Sequence, residues 1–208
     1  MKNQMAQFLD RRNFLKDTGM LVVSTTLLGS RAATTAAPWE ASPSRIAAVL
    51  YDERYSDCRS FADTFVQRGV IAFSTNGNIA SLWYGPLRAY FARYGGSVAG
   101  LTAQSDLVVS QSCGAELNLR LLYEGSHDCR ASNALRHQLR VRGNGNEIAE
   151  ALLHSNADWA RSLADALGRA AWNNGGVRSA SPAIRTSRSD DHPGFLSSWV
   201  LGPARAGA

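Results

Sequence analysis

Apolar residues in the first half of the chain form short continuous runs, and helical patterns separate them. The run Ile46–Tyr51 is apolar throughout and ends in Asp52-Glu53-Arg54, which suits a strand buried on both faces. Ser56 or Asp57 is placed to cap a helix in which Phe61, Ala62, Phe65 and Val66 share one side, closed by Gly69. Residues 70–73 read as a second strand, ending in Ser74-Thr75-Asn76-Gly77. Asn78 then caps a stripe of Ile79, Leu82, Trp83, Leu87, Tyr90 and Phe91, which Gly85-Pro86 should kink or divide. Residues 97–101 are a third strand, with Thr102 or Ser105 capping a helix from Asp106, and residues 117–123 a fourth. The polar stretch Glu124-Gly125-Ser126-His127-Asp128 reads as the loop after it.

Strand–helix alternation through four strands predicts a single α/β domain over residues 45–203 with a mainly parallel sheet. Right-handed crossovers put helices on both faces, in Rossmann-like or flavodoxin-like layering with the strand order open. The second half is less regular. Residues 130–142 hold four arginines and no acid; Leu139 and Val141 alternate with Arg140 and Arg142, as on an edge strand. A helical pattern follows from Glu147 to about Trp172, with a second start available at Ser155 or Asp158. Residues 173–194 have the composition of a mobile loop, residues 195–201 read as a last strand, and residues 204–208 as a tail.

The N-terminus has a different character. Asp10-Arg11-Arg12-Asn13-Phe14-Leu15-Lys16 precedes a weakly apolar run and an Ala/Thr stretch ending near Ala36. This arrangement resembles a twin-arginine (Tat) export signal, carried by Arg11, Arg12, Phe14 and Leu15. The resemblance implies a signal peptide over residues 1–36, a linker over 37–44, transit through the Tat translocase in a folded state, and a periplasmic destination. It also implies a periplasmic redox enzyme as a candidate partner. The apolar run is shorter than the ~20 residues that span a bilayer, so no stable membrane span is expected after cleavage.

Cleavage there changes the charge. The chain of 208 residues carries +5; losing five basic and two acidic residues leaves +2, which is not the balance of a nucleic-acid binder. Among 22 basic residues only Lys2 and Lys16 are lysines, both in the export segment, so Schiff-base and P-loop chemistry are excluded from the mature chain. Cys58, Cys113 and Cys129 form no C-x-x-C pair, and no two of His127, His137, His154 and His192 are one helical turn apart, so no metal site is expected. The cofactor is left open.

In parallel α/β sheets ligands bind beyond the carboxyl ends of the strands. Applied here, that edge collects Asp52, Glu53 and His127 as candidate acid–base residues, with Arg54, Thr75, Asn76, Thr102 and Ser105 as candidate ligand contacts. Tyr84, off the apolar stripe of its helix, is a further ligand candidate. Two readings follow. One is a Tat-exported periplasmic protein that binds a small ligand or accompanies another enzyme; the other is a small periplasmic hydrolase or isomerase using Asp52, Glu53 and His127.

Overall fold

In the computed structural model the three strands at one side of the sheet are parallel. These are β1 (Ile46–Tyr51), β2 (Ile71–Ser74) and β3 (Ser97–Thr102), with β1 between the other two. The structure describes residues 45–129, 134–142, 145–155, 158–172, 177–180, 185–187 and 189–203, which belong to one compact unit. The expected signal peptide, linker and tail lie outside the described residues.

Beyond β3 the sheet turns antiparallel. β4 (Leu119–Asp128) and β5 (Ala134–Arg142) form a hairpin, and β6 (Val177–Ala180) and β7 (Arg185–Ser187) both pair with β5. The last strand, β8 (Phe195–Pro203), inserts between β3 and β4 and runs antiparallel to both. The eight-stranded sheet has the order β2-β1-β3-β8-β4-β5-β6, with β7 beside β6 on β5. The expectation of a mainly parallel sheet is therefore corrected to a mixed one. β8 fills the slot a parallel fourth strand would have taken.

Among the described residues six α-helices cover this sheet: α1 (Ser56–Val66), α2 (Ile79–Leu82), α3 (Arg88–Tyr94), α4 (Gln104–Ala115), α5 (Asn146–Leu153) and α6 (Trp159–Arg169), with a π-helical turn over Trp83–Leu87. Strand side chains alternate between two cores. Val49, Ala99, Leu101, Leu139 and Val200 pack with Phe61, Phe65, Ile148 and Leu163 from α1, α5 and α6. Ala48, Leu50, Val98, Trp199 and Leu201 pack with Ile79, Trp83, Leu87 and Leu107 from α2 to α4. Asn78 caps α2 by accepting from Ser81 N–H at 3.2 Å, a contact worth about 1 kcal/mol. The expected break falls at Gly85, whose φ/ψ of −112°/−110° leaves the helical region ahead of Pro86. The pattern from Glu147 to Trp172 divides into α5 and α6.

Two expectations change in the second half. Glu124 to Asp128, read as a loop, continues β4 in register with Arg140 to Arg136 of β5. Residues 173–194, read as a mobile loop, contain β6 and β7. The following segment is tied to α1 and β4: Ser189 Oγ donates to Asp57 at 2.8 Å, Asp191 holds Ser56, and Cys129 N–H donates to Gly194 O at 3.0 Å. No helix among the described residues is long and apolar enough to cross a membrane.

Candidate functional site

The chain leaves β1 through α1 to reach β2 on one side, then crosses back to place β3 on the other side of β1. Such a reversal opens a crevice at the carboxyl ends of β1 and β3, because the helices that follow them depart to opposite faces. The β1–α1 connection supplies Asp52, Glu53 and Arg54 there, the end of β3 supplies Thr102, and the first turn of α4 supplies Ser105 and Asp106.

Asp52 is fully buried and takes hold of Arg54. Nε donates to Oδ1 at 2.8 Å and Nη2 to Oδ2 at 2.6 Å, while the Arg54 backbone N–H adds a third bond at 3.2 Å. Burial pushes the Asp52 carboxyl up, but these bonds and the guanidinium charge outweigh it and hold the group below its ordinary value. The Arg54 side chain is 60% exposed, so the edge of the guanidinium that carries Nη1 faces away from the pair toward solvent.

Asp106 lies in the first turn of α4, close enough to Asp52 and Arg54 to feel both charges. Burial raises its pKa, and the negative charge of Asp52 adds to the rise. Thr75 reaches the same edge, its N–H donating to Tyr51 O at 2.9 Å. Its buried hydroxyl lies near enough to Asp106 to favour the charged carboxylate, yet makes no hydrogen bond of normal length among the described residues. Asn76 is an exposed turn residue with φ of 43°, followed by Gly77 at 71°.

The two helices flanking the crevice differ at their amino ends. At α1, Asp191 accepts from Ser56 N–H at 2.7 Å and from its hydroxyl at 2.6 Å, which fills that terminus with a carboxylate. At α4, the residue at the cap is Ala103, which provides no side-chain cap. Neither Thr102 nor Ser105 takes the capping role expected for it. The Thr102 hydroxyl donates to Ala103 O at 3.2 Å and accepts from Trp199 Nε1 at 3.1 Å, and Ser105 is exposed in the first turn.

His127 does not join this group. β3 and β8 lie between β1 and β4, so three strand spacings of about 4.8 Å put His127 roughly 14 Å from Asp52. It also occupies the other face: its ring packs on Trp159 at 4.5 Å, under α6, whereas Asp52 continues the alternation of Ala48 and Leu50. The expected partnership of Asp52, Glu53 and His127 is corrected accordingly. His127 is fully buried within β4; its Nε2 lies 2.7 Å from Ser198 Oγ and its Nδ1 2.6 Å from His137 Nδ1. Ser198 Oγ in turn meets the Tyr123 hydroxyl at 2.9 Å. This network joins β4, β5 and β8 and fixes their register. Burial drives both histidines down, His137 to about 4 and His127 well below its ordinary value, with the charge of His192 adding to each.

Tyr84 is also elsewhere. Its hydroxyl lies 3.1 Å from Glu116 Oε1, just past the carboxyl end of α4, while the crevice is at the amino end of that helix. Glu53 is exposed at the crevice, its carbonyl accepting from Arg59 Nη1 at 2.5 Å. Asp106 is the residue that the sequence pattern alone does not mark, since it reads there only as a helix start. Its place in the first turn after β3, at the edge already collecting Asp52, is the signal that marks it.

A groove of about 380 Å³ opens at the opposite end of the sheet, lined by Phe91, Gly95, Gly96, Leu117, Leu119 and Pro203. It is away from every charged group of the crevice. Among the described residues no group of three or more His, Cys, Asp or Glu side chains is arranged to hold a metal ion. Comparison with protein-family models, with curated proteins and with solved structures finds no match for this chain.

Proposed function

We propose that this chain binds a small anionic ligand, bearing a carboxylate or phosphate group, at the β1/β3 crevice. The observation that carries the reading is Arg54: one edge of its guanidinium is fixed by a buried carboxylate and the other faces solvent, near the uncapped amino end of α4. A held guanidinium loses little freedom when it binds, and it matches the fork of an anionic group. Open helix N–H groups add donors for the same charge. Asp106 and the Thr75 hydroxyl would then hydrogen-bond the rest of the ligand. The order β2-β1-β3 is that of a flavodoxin-like half-sheet, and the crevice is where such sheets take their ligands.

Titration calorimetry with inorganic phosphate and with acetate tests this. One of them should bind to the wild-type chain, and Arg54→Ala should weaken it at least about tenfold, with Arg54→Lys restoring little. Binding that is equal in wild type and Arg54→Ala would refute the reading.

A second reading, acid–base catalysis on the bound ligand, is favoured by the split between the two carboxyls: Asp52 is held low and Asp106 pushed up. That division assigns Asp52 as the ionised partner and Asp106 as the proton donor. It replaces a role for His127 with one for Asp106.

We further propose that the chain is exported by the Tat translocase to the periplasm, the support being Arg11-Arg12 with Phe14-Leu15 and the weakly apolar run behind them. Replacing both arginines by lysine should leave the protein in the cytoplasm; unchanged delivery would remove the proposal. In that compartment the chain acts as a ligand-binding protein or as companion to a redox enzyme, and affinity capture from periplasm distinguishes the two.

A further inference from the structure

Outside the crevice, one nucleophile sits against a base. Cys129 follows β4 directly, and His192 lies in the connection to β8. Cys129 Sγ is 3.3 Å from His192 Nδ1, and Gly194 O is farther from the sulfur at 3.6 Å. The Gly194 N–H donates to the same Nδ1 at 3.0 Å, so that nitrogen carries the lone pair of the neutral ring and the Cys129 sulfur lies beside it. The backbone keeps the pair in place, because Cys129 N–H donates to Gly194 O at 3.0 Å.

We propose that Cys129 and His192 form a thiol–imidazole pair that exchanges with small-molecule disulfides. His192 Nδ1 releases the Gly194 N–H as it takes the thiol proton, and the thiolate attacks one sulfur of the disulfide. A new S–S bond forms to Cys129 as the old one breaks. The departing thiolate takes the proton back from His192 and leaves as a thiol. The incoming disulfide is the only oxidant required, and one of its halves is reduced.

The other two cysteines provide the internal comparison, since all three are free thiols. Cys58 is on the buried face of α1, where burial and the negative charges of Asp52, Asp57 and Asp191 push its thiol up. Cys113 lies near the carboxyl end of α4. Cys129 and His192 are buried with 6% of each surface exposed, against 8% for Cys113, so the imidazole and not exposure sets Cys129 apart.

Hydroxyethyl disulfide is the probe, applied to the reduced full-length chain with peptide mass spectrometry as the readout. At pH 7 the mixed disulfide should form at Cys129 at least about tenfold faster than at Cys58 or Cys113, and His192→Asn should slow it at least about tenfold. Equal reaction at the three cysteines overturns the proposal, as does a rate unchanged in His192→Asn. The comparison among the three cysteines uses the wild-type chain and does not depend on the variant folding.

Discussion

Asp191 accepts two hydrogen bonds from Ser56, one from its backbone N–H at 2.7 Å and one from its hydroxyl at 2.6 Å, across 135 residues of chain. The carboxylate that caps α1 thus comes from the segment leading into β8, and it anchors that segment to the β1–α1 connection. Burial raises the Asp191 carboxyl, but the Ser56 bonds, the nearby Ser189 hydroxyl and the charge of Arg59 outweigh it, so the group is held low. Asp191→Ala should cost about 1–2 kcal/mol in urea unfolding, the scale of a lost cap. It should also speed amide exchange at Ser56. Asp191→Asn should retain most of the stability, and equal exchange at Ser56 in all three proteins would disprove the capping role.

The buried histidine pair predicts acid sensitivity. With the facing Nδ1 atoms 2.6 Å apart, one donates and the other accepts, and a second proton between them has no place. Burial first, then neighbouring charge, keeps both rings neutral in the folded chain, whereas the unfolded chain takes up protons near pH 6.5. Below that value the unfolded state binds more protons, so stability falls as pH drops toward about 4, where His137 itself titrates. For His137 alone the loss approaches about 3 kcal/mol. Asp57 and Asp106, whose carboxyls are pushed up, act in the opposite direction as they titrate. Urea midpoints measured from pH 7.5 to 4.5 should therefore fall in the wild type and fall less steeply in His137→Asn.

Gly100 lies under the Trp199 indole, in register with it across the β3–β8 pair. A Cβ at this position would come within 2.2 Å of Trp199 Cε2 and Cζ2. The ring is fully buried and its Nε1 is fixed on Thr102, so it has nowhere to move. Gly100→Ala should lower stability by about 2–4 kcal/mol or prevent folding, as read from thermal unfolding. A loss below about 0.5 kcal/mol would show that the β3–β8 contact is looser than described.

The parallel half of this fold is written locally and the antiparallel half is not. An uninterrupted apolar run such as Ile46–Tyr51 announces a strand with both faces covered, and the cap at Asn78 and the break at Gly85 follow from their own side chains. The insertion of β8 between β3 and β4 depends on pairings such as Gly100 with Trp199, which join residues about a hundred positions apart. Nothing in Phe195–Pro203 states its direction. Glu124 to Asp128 resembles a loop because its residues are polar or glycine. They remain in the strand because alternate positions face opposite environments: Gly125 and His127 lie with the buried Tyr123 and Ser198, and Glu124 pairs with Arg140 at 3.3 Å on the side where β5 exposes Arg136, Gln138 and Arg140. At the crevice, Asp52 and Arg54 are legible as neighbours after a buried strand. The contribution of Asp106 depends on burial and on the charge of Asp52, which only the packed structure provides.

The charge coupling at the crevice can be read directly. Carboxyl-detected NMR should find Asp106 titrating above an ordinary aspartate and Asp52 below it, as burial and the Arg54 pair respectively dictate. Removing the neighbouring charge in Asp52→Asn should bring Asp106 part of the way back down, leaving the share due to burial. An Asp106 titration unaffected by that substitution would show that the two carboxyls do not share a site.

The central claim, an anion held between Arg54 and the amino end of α4, is tested most directly by following backbone amide resonances while phosphate or acetate is added. Saturable shifts are expected at Gln104, Ser105 and Asp106 and at Arg54, with those at the α4 amides lost in Arg54→Ala. Shifts absent from residues 104–106 in the wild type, or equally large there without Arg54, would contradict it.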